Sequence, residues 1–244
     1  MSDKYLICGL QYATYALEAV VCLLLAHQAR WRRLKGLCLY VVGFFLLDGV
    51  ARPAVLNYFG WTSVQYRYFY WLTDVVFALG AFLLICAFFR RACAQEVKMW
   101  ALVRLLLVFV FILVLGFSAL SLTRNYTHLY STFIIEFSQN LYFSCLVLNT
   151  LLYIMIQQFA IDDDELGLLV AGLGVQFAGE AAGLALLHVT LGDMFAKHLF
   201  SFLNPVCTLG MLAVWVYAIA KTPQKGTVRL PQGENRTWVP AVAE

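Results

Sequence analysis

Seven stretches of this chain are each long and apolar enough to cross a bilayer, and together they take up nearly its whole length. A helix needs about 20 apolar residues to cross a hydrocarbon core of roughly 30 Å. The pattern predicts spans over residues 6–28, 37–58, 68–89, 99–121, 130–158, 166–189 and 197–220. Only 13% of residues are charged and 62% are hydrophobic. Soluble domains carry about 25% charged residues, so this chain could not cover a soluble core and its apolar excess must face lipid. The expected fold is all-α: a polytopic seven-transmembrane-helix bundle over 1–221. A disordered cytoplasmic tail is expected over 222–244, where Pro223, Pro231, Gly233 and Pro240 stand among polar residues. Short linkers favour antiparallel neighbours, and 244 residues leave no space beside the bundle for a kinase, cyclase or nucleotide-binding module. Met1-Ser2-Asp3-Lys4 lacks a basic n-region, so the first helix reads as retained rather than cleaved.

Cations in short loops set orientation. Arg30, Arg32, Arg33, Lys35, Arg90, Arg91, Lys98, Lys221, Lys225, Arg229 and Arg236 fall at one side; Lys4, Arg67, Arg124 and Lys197 fall at the other. This imbalance places the N-terminus outside and the C-terminus in the cytoplasm, in a plasma membrane of the bacterial inner-membrane kind. The acidic link Asp162-Asp163-Asp164-Glu165 lies on the cytoplasmic side with no cation inside it and is expected to face a separate partner.

Ionisable groups within a span cost roughly 2.5–3.5 kcal/mol even on lenient scales, so each needs a reason. Glu18 on helix one and Asp48 on helix two fall near mid-membrane. Arg52, Asp74, Glu136, Glu180 and Asn204 fall in the outer half, with Gln139, Asn140 and Gln176 on the same helices. Asp48 and Arg52 are one turn apart and able to pair. Helix four is apolar from Leu105 to Leu115 and adds nothing polar, so it is placed at the edge. Five acids against one cation cannot all stay ionised in a low dielectric. The ten polar residues named here are therefore expected to line an outward-facing, acid-rich cavity that is partly protonated, hydrated or bound to a cation. Helix six, crowded with Gly and Ala and carrying Gly179-x-x-x-Gly183, is expected at the centre of the bundle. Pro205 is expected to kink helix seven, and Pro53 is its nearest counterpart on helix two.

Several chemistries are set aside. Helix seven has Lys197 and Lys221 at its ends and no lysine between them, so covalent retinal in the manner of microbial rhodopsins is not expected. His198 has no His-x-x-x-His partner, so the pattern of alkaline ceramidases fails. The seven cysteines form no Cys-x-x-Cys pair, and no phosphate loop, nucleophile elbow or His-Glu-x-x-His occurs. No cofactor, metal or nucleic acid is expected. Asn125-Tyr126-Thr127 is a sequon, and Cys93, in a loop, is a candidate for acylation.

In architecture, and in the form Tyr70-Trp71-x-x-Asp74 on helix three, the chain resembles the seven-helix sensory input modules of bacteria. That resemblance implies perception of a small molecule or of membrane state, passed to a cytoplasmic output; no output domain is expected within these residues. The leading expectation is thus a receptor or sensor, with the lipid bilayer and a cytoplasmic signalling partner as its contacts. A structural or accessory subunit of a membrane complex is the alternative, and a transporter or intramembrane enzyme the third.

Overall fold

A computed structural model describes residues 2–27, 34–60, 63–94, 96–124, 129–159, 163–189 and 194–221. The tail from 222, the sequon, Asp162 and the side chains of Lys4, Thr132, His188, His198 and Ser201 lie outside the described residues. The described residues form α1 (Ser2–His27), α2 (Lys35–Phe59), α3 (Val64–Ala92), α4 (Val97–Arg124), α5 (Leu129–Gln158), α6 (Asp164–Val189) and α7 (Met194–Lys221). Each contains a segment long and apolar enough to cross a membrane. All seven expected spans are present, with ends that differ by no more than four residues.

One helix departs from the expected form. α2 is α-helical over Lys35–Phe44, widens to a π-helix over Phe45–Ala51, and returns to α over Arg52–Phe59. Pro53 supplies the physical cause. It has no N–H, and in an unbroken α-helix its ring would press on the carbonyl four residues back, that of Gly49. Bonding to the fifth residue back moves that carbonyl aside, and the Arg52 N–H accordingly bonds the Leu47 carbonyl. Pro205, by contrast, sits inside a continuous α7.

The turn into α3 is built from side chains that satisfy helix ends. Gly60 closes α2 at φ +79°, a conformation that favours glycine. Ser63 Oγ donates to the Gly60 carbonyl at 3.0 Å and accepts from the Tyr66 N–H at 3.1 Å. Ser63→Ala is expected to lower stability by about 1 kcal/mol, read as a fall in the melting temperature of the purified protein.

Sequence neighbours pack antiparallel. Gly36 of α2 meets Ala87 of α3, Gly80 meets Tyr40, and Arg52 meets Thr73. α7 packs on both α6 and α1, and α3 runs along α5. α6 is the most enclosed span, 56% buried, as its small residues require. Trp215 Nε1 of α7 donates to the Leu169 carbonyl at 3.0 Å, and Asn149 Nδ2 of α5 donates to the Val170 carbonyl at 3.1 Å. Among the described residues, α4 packs chiefly on α5 and also on α3, and presents Leu102, Leu105, Phe109, Ile112 and Phe117 outward.

Two acids of the link, Asp163 and Glu165, are paired within the fold, while Asp164 is exposed. Arg91, at the end of α3, holds Asp163 through Nε at 2.8 Å and Nη2 at 2.9 Å, and Nη2 also reaches Glu165 Oε2 at 2.8 Å. Asp163 Oδ1 in turn accepts from the Leu166 N–H at 3.2 Å, capping α6. The cation that serves these acids comes from a helix 72 residues earlier, outside any local window of sequence. Arg91→Gln is expected to cost roughly 2 kcal/mol, with faster amide exchange confined to the start of α6. Beside it, Cys93 is only 2% exposed, and burial pushes its thiol up. A buried, protonated thiol is a poor nucleophile, which opposes the acylation considered from sequence.

Candidate functional site

Arg52 is the hub of the polar interior. Its Nη1 donates to Asp48 Oδ1 at 2.9 Å, and the two side chains are 13% and 19% exposed. Its Nε donates to Thr73 Oγ1 at 3.0 Å, while Nη2 stands 3.5 Å from the Tyr70 carbonyl. The Thr73 hydroxyl donates to that same carbonyl at 2.8 Å, which aims its oxygen lone pairs at Arg52. The guanidinium carbon lies 4.2 Å from the Tyr70 ring centroid and 4.7 Å from that of Phe77. Aromatic faces stabilise a desolvated cation through their quadrupoles. Asp48 lies within the π segment and Arg52 at its end, and such segments recur at functional sites.

Four more helices join this region. Asp74 faces Tyr142 and Ser138 of α5 and lies within the field of Arg52. Glu180 of α6 lies against Asn204 of α7 and within the fields of Asp74 and Arg52. α1 contributes Tyr15, whose hydroxyl accepts from Gln11 Nε2 at 2.9 Å, and Glu18. The Glu18 carboxyl is 0% exposed and neither oxygen has a hydrogen-bond partner. It is enclosed by Tyr40, Val41 and Phe44 of α2 and Met211, Leu212 and Trp215 of α7, with no room for a water molecule. Asp48 is the charged group whose field reaches it.

Of the residues singled out from sequence, Glu18, Asp48, Arg52, Asp74, Glu180 and Asn204 meet in one interior region. Gln176, one turn from Glu180 on α6, is buried, and its Oε1 has no partner. Asn140 turns to a different neighbour. Its Nδ2 donates to Ser118 Oγ of α4 at 3.3 Å. Glu136 lies one turn from Asn140; Asn140 is roughly 160° around α5 from both Ser138 and Tyr142, and Glu136 roughly 160° from Ser138 and roughly 120° from Tyr142, at 100° per residue. Ser118 is fully buried, so α4 does bring a polar group inward, contrary to expectation. Sequence reasoning passed over Thr73, Ser138, Tyr142 and Phe77. A signal existed on α5, where Ser138, Tyr142, Cys145 and Asn149 repeat at helical spacing along one face.

Among the described residues, no three His, Cys, Asp or Glu side chains come together as a metal ion would need. The site therefore offers acid groups at two levels: a paired, ring-flanked set around Arg52, and a lone carboxyl at Glu18. Compared with known proteins, the chain matches no family model, no curated protein and no solved structure.

Proposed function

We propose that this is an integral-membrane seven-helix sensor whose acid-rich interior responds to a proton. It would lie in a plasma membrane of the bacterial inner-membrane kind, N-terminus outside, and signal to a partner at the Lys- and Arg-rich cytoplasmic end. Glu18 carries this reading. Burying an ionised carboxylate without partners costs far more than burying a neutral acid, and a functional role is the default for an ionisable group inside a membrane. The closed packing around Glu18 favours the smallest of the ligands that suit an excess of acids. Charging Glu18 would set it against Asp48 of α2, with Tyr15 and Cys22 of α1 and Tyr40 of α2 also in its field. The π segment beside it, held by the Asp48–Arg52 pair, is the element able to exchange between two backbone registers in response.

The test is hydrogen exchange and intrinsic fluorescence of the purified protein from pH 4.5 to 8.5. The expected result is one conformational transition in the parent that Glu18→Gln abolishes, leaving the variant in the low-pH form throughout. An unaltered transition in Glu18→Gln would end the proposal. A second reading, a structural or accessory subunit, is favoured by the saturated bonding of Arg52, which resembles a rivet. It requires that neither protein show a transition.

A further inference from the structure

A cavity of about 250 Å³ opens where α2 begins and α3 ends, lined by Leu34, Gly36, Leu37, Ala87, Phe88, Arg90 and Arg91. Two arginines on an otherwise apolar wall are the first sign of an anion site. The second is the unmet donors around them. Arg91 Nη1 is buried with no partner, although the rest of that guanidinium is engaged by Asp163 and Glu165. Those two carboxylates outnumber the single Arg91 charge by one, so the positive charge at the cavity comes from Arg90, which is exposed, and from Lys35 at the start of α2. α2 also starts at Leu34 with no side-chain cap, which leaves the first N–H groups, two of them on cavity residues Gly36 and Leu37, without helical acceptors. A helix start with free donors and a guanidinium nearby favours a phosphate.

Location separates a lipid from a soluble phosphate. Lys35 and Arg91 stand at the ends of membrane-length segments Lys35–Phe59 and Val64–Ala92, the depth at which headgroup phosphates lie. Deeper by one turn on α2 and two on α3, Leu39 is 74% exposed and Leu83 is 64% exposed, an apolar track for an acyl chain. We propose that this cavity binds the phosphate of an anionic lipid, with Arg90 and the α2 N-terminus as its principal donors. It rests only on the bundle lying in a membrane, not on the sensor reading.

The test uses the full chain in discs of phosphatidylcholine with 30% phosphatidylglycerol (about one lipid in three), and native mass spectrometry to count retained lipids. Arg90→Gln should reduce phosphatidylglycerol retention about fivefold or more, the scale of one basic residue near a charged surface. Ala87→Leu, which fills the cavity without changing charge, should do the same. Arg90→Gln should not alter melting in pure phosphatidylcholine, which shows that it folds; Ala87→Leu, made where the Ala87 Cβ meets Gly36, is read as lipid retained per folded protein. Lys98→Gln, at the same end of the bundle, should leave retention unchanged. Equal loss with Lys98→Gln would mean diffuse attraction and overturn the site, as would retention in both cavity variants. Stabilisation by millimolar inorganic phosphate equal to that by the lipid would overturn the lipid assignment in favour of a soluble phosphate compound.

Discussion

Arg52→Leu is expected to destabilise the bundle by about 3–5 kcal/mol, the cost of removing one member of a buried pair and leaving the other charge uncompensated. Asp48 would lose its 2.9 Å partner, and Asp74 and Glu180 would lose the cation whose field reaches both. Arg52→Lys should fall between, since an ammonium keeps the charge but cannot bond Thr73 and Asp48 together while lying against two rings. The decisive comparison is Arg52→Leu with Asp48→Asn added. Removing the orphaned charge should recover more than half of the loss in thermal melting. If Arg52→Leu melted like the parent, the cluster would have no energetic role, and the polar interior would need another account.

Gly179→Val is expected to cost about 3 kcal/mol, the upper end of the range for overpacking. A Cβ there would sit 2.7 Å from Cys207 Cβ, with the sulfur closer still. Cβ atoms cannot swing aside as a side-chain tip can, so α6 and α7 must separate. That would also strain the Trp215–Leu169 hydrogen bond along the same seam. Cys207→Gly in the same chain should restore part of the loss. Gly167→Ala is the matched control. Nothing lies within 4 Å of its added carbon, and alanine favours a helix over glycine by about 1 kcal/mol, so it should be neutral or stabilising. Equal loss from both substitutions would locate the effect in helix propensity rather than in contact.

The polar site was legible in sequence along one coordinate and illegible along another. Depth follows from counting residues along a span, and Asp48, Arg52, Asp74, Glu180 and Asn204 do lie at neighbouring depths. Azimuth does not follow. Asn140 shares the depth of the cluster but points towards α4, while Ser138 and Tyr142, two residues to either side, point towards Asp74. At 100° per residue a step of two reverses the face, and only packed neighbours reveal which face is inside. The Asp48–Arg52 pair was legible because its spacing is local. The Arg91–Asp163 pair was not, and the acids it serves looked available for a partner when they are taken within the fold.

The chain alone determined the solvent, the number of helices and their approximate limits, because a backbone in hydrocarbon must satisfy its own hydrogen bonds and only long apolar helices do so. It also determined that α6 would be central, since small residues are what close helix contacts demand. Tertiary structure decided which side chains meet, that Pro53 widens α2 beneath Asp48, and that Glu18 is sealed in without a partner. Those outcomes depend on rotation of each helix about its own axis, and that rotation is set by neighbours whose contribution no single segment contains.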